Sequence, residues 1–88
     1  MKPLNYAILK YMTTVSEACT EDVMDALKGQ YSSFRAFTKP DILTALMTAQ
    51  ANGLVEESRY DLDEDKEVRM YFRANAESIA TINRYIPD

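Results

Sequence analysis

Three aspartates stand at alternate positions in the second half of the chain, a spacing that occurs at the start of calcium-binding loops. Asp61, Asp63 and Asp65 match the first three ligand positions of such a loop. The pattern then fails, because Lys66 stands where the loop needs a glycine and Phe72 where it needs a closing glutamate. We therefore expect no metal site here and interpret the run as a solvated turn.

The chain contains few other residues that commonly catalyse reactions or bind metals. The 88 residues include no histidine and a single cysteine, Cys19. Histidine is the commonest general base and the commonest metal ligand, so its absence removes both roles. A serine or cysteine triad that depends on histidine cannot be assembled from these residues. We expect no enzymatic activity and no cofactor.

Composition predicts an ordinary folded domain that does not enter a membrane. Apolar residues make up 47% and charged residues 27%, and we expect residues 1–88 to form one domain. The longest apolar stretch is far too short for a membrane span. The N-terminal stretch MKPLNYAILKYMTTVSE lacks the small-residue cleavage pattern of an export signal. Because one cysteine cannot form an internal disulfide, we expect a cytoplasmic location.

Apolar residues recur at helical spacing in four segments, at about 3–15, 20–31, 38–52 and 76–86. Three of these segments begin at a residue that can cap free N–H groups, namely Thr20, Thr38 and Asn75. The third segment stops at Asn52-Gly53, where glycine can adopt the left-handed conformation that closes a helix. The sequence therefore predicts four helices with defined ends.

Between about residues 54 and 74 the periodicity changes from helical to alternating. Val68, Met70 and Phe72 alternate with polar and aromatic residues, the pattern of a strand with one apolar face. The polar run DEDK precedes this strand and predicts a turn from an earlier one. The predicted fold is α+β and mostly helical, with a three-helix core, a two-stranded hairpin and a C-terminal helix.

This order of elements and two stretches of sequence resemble the winged helix-turn-helix superfamily, in which the hairpin is called the wing. Residues 38–55, with buried aliphatic residues four apart and a GLV ending, resemble the reading helix of bacterial winged-helix regulators. VRMYFRANAES resembles their second wing strand and the helix start that follows it. The nearest similarity is to PadR-like transcriptional regulators, although Leu43 stands where those proteins usually carry an aromatic residue. The resemblance implies a dimeric protein that binds double-stranded DNA.

The third helix is the segment that the resemblance places in the major groove of DNA. A helical projection centred on Ile42 puts Thr44 and Thr48 on the outer face, and Lys39 stands at the N-terminal end. Threonine can contact phosphates or thymine methyl groups, and lysine can contact a phosphate or a guanine. The alternative for the two threonines is that they are simply solvated.

Two arginines of the second hairpin strand, Arg69 and Arg73, share one face and are expected to contact phosphates. The alternative is that they pair with carboxylates of the opposing strand. With Lys39, Thr44 and Thr48 they complete the set of predicted DNA-binding residues.

Charge separates two hypotheses about function. Residues 56–67 contain seven carboxylates and two cations, a net charge of −5, whereas the rest of the chain sums to +1. Phosphates repel an acidic wing tip, since affinity for duplex DNA comes largely from cations. The first hypothesis is a transcriptional regulator that acts by operator occupancy through the third helix. The alternative is a winged-helix protein–protein interaction module that uses its acidic hairpin and does not bind DNA.

The last helix carries more apolar surface than a small core needs. We expect this surface to form a symmetric homodimer, in which two reading helices would meet successive half-sites. The alternative is that the core of one chain absorbs it. The predicted interface residues are Ile79, Ile82, Tyr85 and Ile86.

Overall fold

The structure is a computed structural model that describes all 88 residues. Its elements in chain order are the helices and strands α1 (Leu4–Met12), α2 (Thr20–Tyr31), α3 (Lys39–Ala51), β1 (Glu56–Leu62), β2 (Val68–Arg73) and α4 (Ala76–Tyr85). Strands β1 and β2 form one antiparallel sheet, so the α+β composition is confirmed. None of the four helices combines the length and the apolar content needed to cross a lipid bilayer.

Helix α1 ends at Met12, earlier than the predicted end near residue 15. The hydroxyl of Thr13 donates to the carbonyl of Lys10 at 2.6 Å, and the hydroxyl of Thr14 donates to the carbonyl of Tyr11 at 2.7 Å. Threonine hydroxyls that bond to the preceding turn compete with the helical hydrogen-bond ladder. Two consecutive threonines therefore end the helix although the apolar spacing continues.

Helix α2 begins at Thr20, but the residue in the capping position is Cys19, so the predicted Thr20 cap is wrong. The Asp22 carboxylate accepts hydrogen bonds from the Cys19 backbone N–H at 3.0 Å and from its thiol at 3.3 Å. Just before it, Ala18 forms two backbone hydrogen bonds of 2.9 Å with Phe72 of β2. This bridge keeps the chain extended through Cys19 and leaves Thr20 as the first helical residue.

Both predicted ends of helix α3 are confirmed. At the start, the Thr38 hydroxyl accepts a hydrogen bond from the Asp41 backbone N–H at 3.3 Å. At the end, Gly53 has a φ of +76°, and the Leu54 N–H donates to the Ala49 carbonyl at 2.9 Å. This is the Schellman arrangement, in which a left-handed residue lets the chain turn back onto the last carbonyls. It directs the chain from α3 into β1.

The hairpin has one apolar face, as its alternation predicted. Leu62 pairs with Val68 and Tyr60 pairs with Met70 on the same face as Phe72. Phe72 is fully buried and Met70 packs partly buried against the core, whereas Val68 is 65% exposed, so this face leaves the core toward its Val68 end. The core itself lies between α1, α2 and α3 and includes the fully buried residues Met12, Val23, Leu46 and Phe72.

Candidate interaction surface

The outer face of α3 is exposed and carries no charge along its centre. Thr44 and Thr48 are both exposed, and Met47 is 43% exposed. The Thr44 hydroxyl donates to the Pro40 carbonyl one turn earlier, at 2.9 Å. Its remaining capacity to accept a hydrogen bond is free for a partner molecule. Sequence reasoning therefore placed both threonines on the correct side of the helix.

Lys39 is the only cation on α3, and it is not free. Its Nζ atom lies 3.5 Å from Oε2 of Glu21 on α2. Asp41 contributes a negative charge to the same first turn, so the net charge of the helix is zero. A continuous positive strip along α3 would favour DNA binding, and this structure has none.

Arg69, one of the two predicted phosphate contacts, pairs with Asp61 directly across the hairpin. Its Nε donates to Oδ1 at 2.8 Å and its Nη2 donates to Oδ2 at 3.1 Å. The two planar groups therefore meet in the two-pronged arrangement that suits guanidinium and carboxylate. The Tyr71 hydroxyl lies 3.5 Å from the same carboxylate.

The other two hairpin arginines are also paired. Arg73 donates to Oε1 of Glu56 at 2.7 Å. Arg59 donates to Oε2 of Glu17 at 2.7 Å and stacks its guanidinium 3.8 Å from the centre of the Tyr71 ring. Pairing with carboxylates is thus confirmed for Arg69 and Arg73. It balances the charge of each guanidinium within the chain and uses part of its N–H donors.

These pairs affect the ionisation of their carboxyl groups. The hydrogen bonds from Arg69 lower the pKa of Asp61, and those from Arg59 lower the pKa of Glu17. Both carboxylates therefore stay ionised throughout the neutral range. Each neutralises a cation that a phosphate backbone would otherwise attract.

The turn between the strands, residues 63–67, concentrates negative charge that no cation in the chain balances by direct pairing. One carboxylate oxygen of Asp63 accepts hydrogen bonds from the backbone N–H groups of Asp65 and Glu67, both at 2.9 Å. Lys66 adopts a left-handed φ of 63° inside this turn. Two of the three aspartates with calcium-loop spacing therefore have other contacts, since Asp61 binds Arg69 and Asp63 organises the turn. We refer to residues 63–67 as the acidic turn.

Two grooves flank α3 and divide the predicted site residues between them. The groove between α1 and α3, of about 550 Å³, is lined by Thr44 and Thr48 together with Tyr6. The groove between the hairpin and the starts of α2 and α3, of about 320 Å³, is lined by Lys39 and Arg69. The structure thus places the threonines on one side of the helix and these cations on the other. Arg73 lies in neither lining.

The second groove was missed by sequence reasoning, although its signal was present. Val68 and Met70 lie on the strand face that the alternation made apolar, and both line the groove. The sequence could not show that this face extends beyond the core. We refer to this space as the wing groove.

The four predicted dimer residues differ in how exposed they are. Ile82 and Ile86 are buried in the chain itself, with 2% and 6% exposure, so their assignment to a free interface is wrong. Helix α4 packs against α1, with Lys10 bound to Asn83 at 2.7 Å, and this packing takes up the apolar stripe. Tyr85 is 74% exposed and Ile79 is half-buried. A homodimer stays a prediction, and of its four predicted interface residues only these two are left accessible by the fold.

Comparisons with known proteins do not assign the chain to a family. No model of a protein family matches the sequence, and no curated protein shows significant similarity to it. The fold and the surface define a small α+β protein with a third helix of zero net charge and an acidic hairpin whose arginines are internally paired.

Proposed function

We propose that this protein is a winged-helix module that binds another protein, with the acidic hairpin facing a basic partner. One observation carries the proposal. All three arginines of the hairpin, Arg59, Arg69 and Arg73, are paired with carboxylates of the same chain. The unbalanced charge of the hairpin is therefore negative, which favours a partner that carries positive charge.

The chain path supports the winged-helix architecture. Helix α1 is followed by an extended residue, Ala18, that bridges to β2, and then by α2, α3 and the hairpin. Helices α1, α2 and α3 pack against one another around the core, with one face of α3 left exposed. This is the order of helices and strands on which the resemblance to winged helix-turn-helix proteins was based.

The distribution of cations argues against the duplex DNA hypothesis. Affinity for DNA comes largely from lysine and arginine contacts that release counterions from phosphates. Four cations make no ion pair within the chain: Lys2, Arg35, Lys66 and Arg84. They belong to the N-terminus, the connector before α3, the acidic turn and α4, and of the four only Arg35 lines the groove that holds Thr44 and Thr48. Phosphate contacts by Arg69 or Arg73 would first require an existing ion pair to break.

The acidic turn is suited to attract a basic partner. Glu64 and Asp65 are exposed and make no ion pair, and Glu57 is exposed on β1. Negative charges clustered at a projecting turn speed the encounter with a positively charged surface. Their contribution to binding is expected to weaken as salt is added.

DNA binding is the second candidate, and the exposure of Thr44 and Thr48 on α3 favours it. In that case the protein would regulate transcription by occupying an operator, and Lys39 would leave Glu21 to contact a phosphate. The 3.5 Å separation of Lys39 and Glu21 on an exposed surface makes this exchange inexpensive.

Fluorescence anisotropy at low salt can decide between the two candidates. The probes are a random-sequence DNA duplex and a blocked peptide that alternates lysine with valine over about eight residues, the length of an ordinary strand. We expect salt-sensitive binding of the peptide and no binding of the duplex at micromolar protein. Absence of peptide binding at low salt would overturn the proposal.

Two charge-reversal variants test whether any binding of the duplex depends on the start of α3. Lys39→Glu changes the start of α3, whereas Lys28→Glu makes the same charge change on α2, where Lys28 is exposed and paired with Asp25. Duplex binding that Lys39→Glu abolishes and Lys28→Glu retains would establish the second candidate instead.

A further inference from the structure

Building on the proposed protein-binding function, we propose that the partner docks as a short extended strand along the open edge of β2, inside the wing groove. The occupant is a segment of another protein in which basic and apolar residues alternate.

The edge of β2 is occupied at one end and open at the other. The Phe72 N–H and carbonyl both bond to Ala18, so they point away from β1. Backbone groups alternate in direction along an antiparallel strand, and those of Val68 and Met70 therefore point to the same edge. No hydrogen bond outside the regular helix and strand ladders involves the backbone of either residue. The edge from Val68 to Met70 therefore presents unpaired donors and acceptors, which other strands can pair with.

The wing groove is apolar along this edge. Leu43 and Pro40 of α3 face it from one side, and Val68 and Met70 form the other side. Its volume of about 320 Å³ is at the lower end of the range for binding pockets and suits a few residues of extended chain. Three strand residues span roughly 10 Å, which is the length of open edge that a partner strand would cover.

The charges around the wing groove select a basic segment. Glu21, Asp63 and Glu67 line it together with Lys39 and Arg69. Lys39 is paired with Glu21, and Arg69 is paired with Asp61. The charges that lack an ion-pair partner are therefore the carboxylates of Asp63 and Glu67. A partner strand would bond to the edge through its backbone, place apolar side chains against Leu43 and Met70, and direct basic side chains to these carboxylates.

A second copy of this chain is a poorer occupant. Its own β2 edge adjoins another acidic turn, and each chain carries a net charge of −4. Bringing two negatively charged surfaces together at an interface costs free energy, which disfavours pairing between two copies. Self-association is therefore an outcome that the test must distinguish.

Amide hydrogen exchange on the labelled protein with the alternating lysine–valine peptide tests the docking mode. Saturating peptide should slow exchange of the Val68 and Met70 amides by roughly tenfold or more, because each would donate to the added strand. The Tyr60 and Leu62 amides serve as internal controls. They belong to β1, whose free edge lies on the opposite side of the hairpin, and their exchange should not change.

A backbone-modified peptide provides a test that leaves the protein unaltered. N-methylation of the peptide at alternate residues removes the donors that a strand needs and keeps the charge and side chains. We expect its affinity to fall by roughly tenfold or more, since two hydrogen bonds are lost. Among protein variants, Val68→Pro removes an edge donor and should weaken binding. Leu62→Pro makes the matched change on the other edge and should bind like the wild type.

The outcomes separate the docking mode from the proposed function. Peptide binding without protection of Val68 and Met70, and with no loss on N-methylation, would overturn strand addition while leaving a protein-binding function in place. Absence of any peptide binding would overturn both. Protection of the same amides that grows with protein concentration in the absence of peptide would identify a second copy as the occupant and overturn the proposal.

Discussion

Arg69 and Asp61 face each other across the hairpin and are joined by two hydrogen bonds, of 2.8 Å and 3.1 Å. Arg59 adds a contact of 3.6 Å to the same carboxylate and reaches Glu17 in the segment between α1 and α2. The polar face of the hairpin therefore carries linked ion pairs, in which Arg59 and Arg69 bind carboxylates of the same chain.

These ion pairs predict that acid destabilises the fold. Glu17 and Asp61 have pKa values lowered below their ordinary values of 4.5 and 3.8 by Arg59 and Arg69. A lowered pKa contributes stability above the ordinary value, and this contribution is lost as the pH falls through the lowered one. We expect the free energy of unfolding, measured with urea, to fall as the pH drops below about 4.5. Asp61→Asn should make this fall smaller.

Glu64→Gln is the control for the acid experiment, because Glu64 lies in the acidic turn and makes no ion pair. Its pH profile should follow that of the wild type. An Asp61→Asn profile that falls as steeply as the wild type would show that the Arg69–Asp61 pair contributes nothing to acid sensitivity.

The two glycines predict opposite effects of the same substitution. Gly53 has a φ of +76°, so Gly53→Ala should destabilise the protein by about 1 kcal/mol through backbone strain. Gly29 lies within α2, and a Cβ atom there would meet nothing within 4 Å. Gly29→Ala should therefore stabilise by up to about 1 kcal/mol, since alanine favours the helix. Thermal unfolding would shift by roughly 4–8 °C per kcal/mol in a domain of this size. Shifts of the same sign would contradict the assigned backbone geometry.

The acidic turn contains one residue, Lys66, whose backbone strain a substitution can relieve. Lys66 has a left-handed φ of 63°, a conformation that is costly for a residue with a Cβ atom. Lys66→Gly should raise the free energy of unfolding by about 1 kcal/mol in a urea titration. Glu64→Gly is the matched substitution in the same turn without positive φ, and it should give no gain. Equal effects of the two substitutions would argue that turn strain is not responsible.

The Cys19 thiol should be unreactive in the folded protein. It is 3% exposed and donates to Asp22, and burial is the main cause that raises its pKa. Since the thiolate is the reactive form, a disulfide reagent should modify Cys19 much more slowly than it modifies glutathione. Urea should restore the ordinary rate. Rapid modification in native buffer would show that the Ala18–Phe72 bridge opens readily, and Cys19→Ser supplies the zero-reaction baseline.

Much of the fold follows from sequence signals that act over a few residues. Thr38, Asn75 and Gly53 were assigned to helix ends from their own chemistry, and the structure has them there. The alternation of Val68, Met70 and Phe72 identified a strand with one apolar face. The misplaced end of α1 and the misplaced cap of α2 both arose where other hydrogen bonds competed. At Cys19 the competing contact was with Asp22, and the bridge to the distant Phe72 held the chain extended beside it.

The sequence by itself determined both ends of α3, the cap of α4, the hairpin and the concentration of negative charge in the acidic turn, because caps, periodicity and charge runs are local properties. Only the tertiary structure decided that Lys39, Arg69 and Arg73 are paired and that Ile82 and Ile86 are buried. Pairing and burial depend on distances between residues remote in the chain, as for Arg59 and Glu17, which are 42 positions apart and joined at 2.7 Å. The open edge of β2 has the same origin, since it exists only where Ala18 stops covering the strand and α2 begins.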